Sequence, residues 1–441
     1  MAKLAGTFSQ LGPCTVLVAG DLFLDTYTIG KARRISPEAP VAVVQVSREE
    51  QRPGGAGNVV LNLISLGAAV KVLGRVGADS AGASIKNSLA AEGADCCGII
   101  TEQPYETPIK NRIIAENQQV VRVDYEKVVL INEHYEQQVL DAIPSLLEGV
   151  QVLAISDYGK GFLSDRVLSV LIAEARARRL VIIADPKGTD FTKYNGSTII
   201  KPNYAELVAA SGLSAQEPIE KLAEKVIQNV ATDVLMVTRS EAGISLFFNT
   251  GERHDLPVRM REVKDVTGAG DTVLATLAFV MGNDLPIITA AQLSNHTAGI
   301  AIERFGCARV TLSELARSLL EHDVDNKIFD GEHLFALQHA LKGHSFFLLA
   351  IEGSRGSLSA NIFKSIHQLS KGEHDLILYI RDENPCQEFV QIMASLYDVD
   401  FILLDNLSVK QICEELEPAG VYILEGGECK QLASASELIL V

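Results

Sequence analysis

The chain has 441 residues, 47% of them apolar and 22% charged, which is the composition of a folded protein and enough length for two domains. A formal net charge of −17 leaves no surplus of Lys and Arg for phosphate-backbone contacts and argues against a nucleic-acid binder. The longest apolar runs, such as FFLLAI at Phe346–Ile351, are far short of a bilayer span, and MAKLAGTFSQLGPC lacks the apolar core of a signal peptide, so a cytoplasmic protein with no membrane partner is expected.

In chain order, TVLVAG (Thr15–Gly20) reads as a buried strand, AGNVVLNLISLG (Ala56–Gly67) as a helix closed by glycine, and VKVLGRVG as the next strand. VLAIS, LVIIAD, STIIKPN and VLMVTRS follow, each separated by a helical pattern. This alternation predicts an α/β fold: a parallel sheet with helices on both faces. Two stretches break it. PVAVVQVSREE and TPIKNRIIAENQQVVRVDYE read as strands with no helix between, the second turning at Glu116–Asn117. They predict a small antiparallel sheet outside the main one, a lid that excludes water. The first domain is expected over 1–322, a linker and bridging helix over 323–342, and a smaller Rossmann-like α/β domain over 343–441, carrying SFFLLAIEG, HDLILYI, VDFILLD and GVYILEGG. Seven cysteines with no C-x-x-C, two of them adjacent at Cys96 and Cys97, suit reduced thiols better than a disulfide framework or a zinc site.

Three constellations carry chemistry. In VKDVTGAGDTVLATLAFVMG (Val263–Gly282), Gly268 and Gly270 allow a tight turn. The helix that starts near Ala269 then aims free N–H groups and its positive dipole end at whatever sits there, which suits a phosphate or oxyanion. Asp271, in the first turn, stands ready to take a proton from an attacking hydroxyl. In GDLFLD with RPGGAGNVVLN, Asp21 follows the first strand, Gly54 and Gly55 permit close approach, and Asn58 offers an amide, equipment suited to sugar hydroxyls. In DPKGTD and KPNYAE, Asn203 and Glu206 are three apart and share a helix face, where they can order phosphates and hold Mg²⁺ through water. Each alone is equally an ordinary turn or helix start. No P-loop and no complete G-x-G-x-x-G fingerprint occurs in the chain.

Together the three resemble the ribokinase-like sugar kinase family over about the first 320 residues. Gly54–Gly55 and DVTGAGD (Asp265–Asp271) match its two signatures. More narrowly, GDLFLDTYTIGKARRISPEAPVAVV, RPGGAGNV, NQQVVRVDYE, SDYGKG, DPKGTDF, KPNYAEL and VTRSEAG look like the heptose 7-phosphate kinase domain of bifunctional ADP-heptose synthesis proteins. The resemblance implies a ribokinase-like fold with a β-sheet lid. It also implies an ATP- and Mg²⁺-dependent kinase acting on the anomeric hydroxyl of D-glycero-D-manno-heptose 7-phosphate, in the supply of lipopolysaccharide precursors. Asp271 becomes the base and Gly268, Ala269 and Gly270 the anion hole, while Asp21, Gly54, Gly55 and Asn58 bind sugar. Asn203, Tyr204, Ala205 and Glu206 serve the nucleotide, Glu206 reaching the metal through water, with Thr238 near the phosphates. Arg34, Lys110, Arg112 and Arg122, on or near the lid strands, are the cations expected to meet the sugar's own phosphate. A homodimer through the lid is implied as well.

The second domain resembles a nucleotidyltransferase, but the place of its H-x-G-H motif reads SANI, Ser359–Ile362, and His344 and His367 are not at the motif spacing. Adenylyl transfer by this domain is therefore not expected. The alternatives are a bifunctional enzyme with an unorthodox transferase site, or a non-catalytic sugar-phosphate sensor; the intact Asp271 turn argues against the sensor.

Overall fold

Short runs of Val, Ile, Leu and Ala, too apolar to face water on either side, make the central strands of this computed structural model. It describes residues 7–116, 118–258, 263–304, 306–320, 327–329, 334–353, 359–372, 374–382, 384–404 and 406–439. The chain divides into two units, Cys14–Val310 and a second formed by Thr311–Val441 with the segment ending at Pro13.

In the first unit β1 (Thr15–Gly20) is followed by two long strands, β2 (Leu22–Ile35) and β3 (Ala42–Gly55), and then by β4 (Ala69–Gly77) and β5 (Asp95–Glu102). A pair, β6 (Ile109–Ala115) and β7 (Gln118–Tyr125), precedes β8 (Val152–Ser156), β9 (Val181–Asp185), β10 (Ile199–Ile200), β11 (Val234–Thr238), β12 (Ile244–Phe248) and β13 (Arg253–Leu256). The helices are α1 (Ala56–Ser65), α2 (Ser80–Ala91), α3 (Glu133–Leu146), α4 (Asp165–Ala177), α5 (Tyr204–Ser211), α6 (Ile219–Ile227), α7 (Ala269–Met281) and α8 (Ile287–Ile302).

Nine strands form one sheet in the order β13-β12-β11-β10-β9-β8-β1-β4-β5. It is parallel from β5 to β11, and β12 and β13 add an antiparallel edge. Leu17, Leu153, Ile182 and Leu235 on one face pack with Val139 and Ile143 of α3, Leu168 and Leu171 of α4 and Leu222 of α6, all buried. Helix α7 packs on both α1 and α8, and α1 and α7 also meet β8. The parallel strands all finish at one edge, where α/β sheets bind their ligands.

The smaller sheet runs β3-β2-β6-β7. It is mixed, not wholly antiparallel as expected: β2 pairs with β6 in parallel, Asp25 beside Lys110 and Tyr27 beside Arg112. The chain passes into β2 from the end of β1 and into β6 from the end of β5. Those two are strands of the same parallel set, so β2 and β6 set out in one direction. Of the expected turn, Glu116 takes a left-handed φ of 51°, and Asn117 lies outside the described residues.

The second unit contains α9 (Leu312–Leu320), β14 (Ile328–Phe329), α10 (Leu334–Leu341), β15 (Phe346–Ile351), α11 (Ala360–Leu369), β16 (Asp375–Ile380), α12 (Gln387–Ser395), β17 (Phe401–Leu403), α13 (Asn406–Glu415), β18 (Gly420–Glu425), β19 (Glu428–Leu432) and α14 (Ser436–Ile439). Its sheet runs β14-β17-β16-β15-β18-β19. Part of the segment read as a linker is thus a strand. Ile328 and Phe329 pair with β17 and are fully buried, which two large apolar side chains achieve in a sheet and not in a solvated linker.

Candidate active site

The site is assembled at the C-terminal ends of the parallel strands, opposite the first turn of α7. Gly268 precedes that helix at φ 79°, a left-handed conformation that favours glycine. Space demands it too: a Cβ there would stand 2.7 Å from Asn58 Nδ2 and 3.2 Å from Cys307 Sγ. The turn brings Asp271 into the first helical turn with only 3% of its surface exposed.

Both carboxylate oxygens of Asp271 are engaged. Asn58 Nδ2 donates to Oδ2 at 2.8 Å and the Tyr158 hydroxyl to Oδ1 at 2.6 Å. Asn58 is itself oriented, because Asn62 Nδ2 donates to its Oδ1 at 3.3 Å and to its carbonyl at 3.0 Å. Burial pushes the Asp271 carboxyl up to about 6; the two hydrogen bonds work against that rise, Asp185 adds to it, and Lys201 opposes it. A carboxylate with that affinity is ionised at neutral pH and basic enough to take a proton.

Lys201, at the end of β10, is buried and pairs with Asp185 Oδ2 at 2.9 Å. Its Nζ is 4.0 Å from where a Cβ on Gly270 would stand. The α7 turn therefore combines a helix N-terminus with a desolvated cation, an arrangement that attracts phosphate charge.

Beside this lies the turn between β3 and α1. Gly54 and Gly55 pass so close beneath Phe23 that a Cβ on either would fall 2.4 and 2.5 Å from its ring. Asp21 is buried, and its Oδ2 accepts the backbone N–H groups of Tyr158 (2.9 Å) and Lys160 (3.0 Å). One oxygen of a residue expected to bind sugar is thus committed to holding the 157–161 loop. Lys110 Nζ sits 4.3 Å from the centre of the Phe23 ring and 5.6 Å from that of Tyr158, and burial with Lys160 nearby holds its affinity for protons below the usual lysine range.

Arg112 is buried and paired with Asp25. It lines a cavity of about 580 Å³ together with Tyr27, Arg48, Arg52, Lys264 and Gly306. Arg48 and Arg52 share one carboxylate, Glu50, at 3.2 and 3.1 Å. Arg122 stands opposite Arg112 in the β6–β7 register but is half-exposed and paired with Asp124 at 2.9 Å. Arg34 is exposed on β2 opposite Val43, eleven residues beyond Phe23 along the strand, so the structure does not bring it to these groups.

The nucleotide-side group takes a different form from the one expected. Asn203 caps α5, its side chain accepting the Glu206 N–H at 2.9 Å while Glu206 Oε2 accepts the Asn203 N–H at 3.0 Å. Glu206 Oε1 accepts from Lys187 Nζ at 3.0 Å. Both oxygens of the expected metal-facing carboxylate are therefore in use, and among the described residues no group of three or more His, Cys, Asp or Glu is placed to hold a metal ion. Tyr204 donates its hydroxyl to the Ala215 carbonyl, and Ala205 lies beside it in the same first turn. Thr238 bridges Asn203 at the end of β11.

Sequence reasoning alone misses Tyr158, Lys201 and Asp185. A signal exists for two of them: LVIIAD and STIIKPN each end an apolar strand on a charge, and buried opposite charges at neighbouring strand ends must pair. Tyr158, inside SDYGKG, offers none. Among the described residues no helix is long and apolar enough to cross a membrane, and all seven cysteines are free.

Known proteins resemble this chain in sequence and in fold. The profile of the pfkB family carbohydrate kinases matches residues 16–314. The bifunctional protein HldE of Pelobacter propionicus is 38% identical over 419 residues, covering 91% of this chain and 86% of its own. HldE of Geobacter sulfurreducens is 36% identical over 455 residues, covering 95% and 90%. Among solved structures, phosphofructokinase-2 of Escherichia coli aligns with a TM-score of 0.59 at 17% identity, over 69% of this chain and 97% of that one. Arabidopsis thaliana ribokinase, solved with ribose and ATP, aligns with a TM-score of 0.55 at 15% identity, over 70% and 99%. With its signature turn, its lid sheet and its ribokinase-like architecture, the chain belongs to the pfkB family of carbohydrate kinases, in the branch that carries the name bifunctional protein HldE.

Proposed function

We propose that this sugar kinase transfers the γ-phosphoryl group of ATP to the anomeric hydroxyl of D-glycero-D-manno-heptose 7-phosphate, giving the 1,7-bisphosphate and ADP on the route to ADP-heptose and lipopolysaccharide. The observation that carries the chemistry is a buried Asp271, oriented by Asn58 and raised to about 6, at the mouth of a helix N-terminus with Lys201 beside it. Asp271 takes the proton of the anomeric hydroxyl as that oxygen attacks phosphorus. The N–H groups of the Gly268–Gly270 turn and the Lys201 ammonium meet the charge spread over the transferring oxygens, and the bond to the ADP oxygen breaks. The α5 N-terminus, with Asn203 and Thr238, lies toward the nucleotide phosphates. Mg²⁺ bound with ATP would neutralise charge on the phosphates, and Glu206, whose Oε1 is held only by Lys187 at 3.0 Å, is the residue that would reach it through water.

The cavity under the lid suits the substrate's own phosphate. Two guanidiniums there divide one carboxylate, Lys264 is matched by Asp265 and Arg112 by Asp25, so an anion finds one positive charge in surplus beside several cationic donors. Arg48, Arg52, Arg112 and Lys264 are assigned this role in place of Arg34 and of Arg122, which is half-exposed and paired with Asp124. A homodimer through the lid is supported by exposed apolar side chains on its strands, among them Ile35, Val46, Val120 and Tyr125. Use of ATP fits a cytoplasmic enzyme.

The shared name of the relatives favours a second activity. The residues of the second unit speak against adenylyl transfer, since Ser359 and Ile362 replace the imidazoles such a site needs.

The test is phosphate transfer by the purified full chain with Mg²⁺-ATP and the heptose 7-phosphate, beside ribose and fructose 6-phosphate. Turnover of the heptose phosphate, lost by about 10²–10⁴-fold in Asp271→Asn, is expected. Preferential turnover of another sugar would keep the mechanism and overturn the substrate.

A further inference from the structure

The group that must touch the sugar hydroxyl is sealed in the sugar-free enzyme: Asp271 is 3% exposed. Something has to move for it to act. Asn58 is buried within α1 and locked by Asn62, so it stays. Tyr158 is different. It is half-buried, on a loop after β8, and its hydroxyl holds Oδ1 at 2.6 Å. Its backbone is fixed, since its N–H and that of Lys160 donate to Asp21, and Arg75 donates to the Lys160 carbonyl at 3.1 Å. Only the side chain is free to swing. That ring packs edge-on against Phe23 of β2, centroids 5.1 Å apart, with Lys110 of β6 over it. Tyr158 therefore touches both the base and two strands of the lid.

We propose that Tyr158 is a positioning residue that masks the catalytic base: its hydroxyl occupies Asp271 Oδ1 until an acceptor sugar, entering beneath the lid strands, displaces it. The proposal rests on Asp271 being the base. A masked base cannot deprotonate a water that strays into the empty site, so ATP is spared hydrolysis when no sugar is bound. Sugar binding rotates the ring, hands Oδ1 to the anomeric hydroxyl and so couples proton abstraction to occupancy. The hydroxyl remains a donor throughout, because burial and the facing Asp271 push the phenol well above its ordinary value.

The charged and titratable groups facing Asp271 are Asp185 and Lys201 at the ends of β9 and β10, paired with each other, and Cys307 after α8, whose thiol burial pushes well up. All three are common to the enzyme and a Tyr158→Phe variant, so a difference between their pH profiles isolates Tyr158. A hydrogen bond to a charged group is worth about 1.5–3 kcal/mol, which is about tenfold or more. In Tyr158→Phe the ratio of sugar-independent ATP hydrolysis to sugar phosphorylation is expected to rise at least about tenfold. The acid limb of kcat/KM is expected to move up by about one pH unit, since the carboxylate loses a donor.

If either the ratio or the acid limb matches the wild-type enzyme, the proposal falls. The double variant Tyr158→Phe, Asp271→Asn must lose the extra hydrolysis; if it keeps it, Tyr158 does not act through Asp271 and the proposal falls as well. Should Tyr158→Phe not fold, judged by its thermal transition, Phe23→Leu loosens the same ring without touching Asp271 and is read by the same ratio. Asp271→Asn assayed alone keeps the two ideas apart: retained phosphorylation there would defeat the base assignment itself, whatever Tyr158 does.

Discussion

Asp271 is ionised in a place that resists ionisation, and that has a thermodynamic signature separate from catalysis. Its carboxyl is raised from 3.8 to about 6 by burial. Its folded value is above its unfolded one, so the fold favours the protonated form. That contribution is fully present below 3.8 and lost as pH rises through about 6; above it, the buried charge costs roughly 3 kcal/mol. Asn cannot ionise, and its amide can accept from Asn58 while donating to Tyr158. Asp271→Asn is therefore expected to be inactive yet more stable, by about 1–3 kcal/mol at pH 8, with the difference shrinking toward pH 4. Thermal unfolding of both proteins across that range checks it; an Asn variant less stable than wild type at pH 8 would refute the burial argument. The activity of the wild-type enzyme should fall on the acid side near pH 6, as its base protonates. Such residues are readable in sequence when a local pattern forces them, as DVTGAGD does. Tyr158 is not, because its meaning comes from Asp271, 113 positions away.

At the scale of elements, α5 shows how one motif can be read for stability and for binding alike. Asn203 and Glu206 are legible as a pair on one helix face, but spacing alone does not say whether the pair looks outward at a ligand or inward at the backbone. Here they form a capping box, and Glu206 adds an exposed pair with Lys187. The two roles separate by mutation. Asn203→Ala removes the cap and is expected to cost about 1 kcal/mol of stability in thermal or denaturant unfolding. Glu206→Gln keeps the capping geometry and gives up a solvent-screened ion pair worth at most about 1 kcal/mol, so its stability is nearly that of wild type. If Glu206 also meets Mg²⁺-ATP, the same variant raises the KM for the nucleotide several-fold and leaves that for the sugar unchanged. An unchanged nucleotide KM would leave Glu206 as a cap alone. The central strands are legible for a plain reason: VLAIS and LVIIAD are apolar on both faces and leave no other place to go. The lid is legible only in part, since nothing local in β2 or β6 encodes which strand lies beside it; the parallel β2–β6 pairing is set by where β1 and β5 end.

At the scale of the whole chain, alternation of strand and helix announces two α/β units but not where one gives way to the next: α9, just past the division at Val310/Thr311, reads as one more helix of the first series, and a two-residue strand such as Ile328–Phe329 is too short to leave a periodic signal. What the second unit does turns on charge at one edge of its sheet. Ligands of α/β sheets bind beyond the C-terminal strand ends. There, among the described residues, the chain presents Glu352 after β15, Arg381 and Asp382 after β16 and Glu425 at the end of β18, with Arg381 3.7 Å from Glu425. Three carboxylates and one paired guanidinium repel a nucleoside triphosphate. The described histidines of the unit's sheet lie at the opposite edge: His344 just before β15, His374 just before β16, and His367 bound to Asp398 ahead of β17. On the transferase plan that the sequence of this unit resembles, Ser359 and Ile362 take the places of two imidazoles, and each lost charged donor costs about 3 kcal/mol, so two would remove roughly four orders of magnitude in rate. The full chain, given ATP and heptose 1-phosphate, is therefore expected to release no pyrophosphate and form no ADP-heptose, while the same preparation phosphorylates the heptose 7-phosphate at its normal rate. ADP-heptose appearing at a rate comparable to the kinase step would overturn this, and would mean that the second unit binds triphosphate with groups other than imidazole.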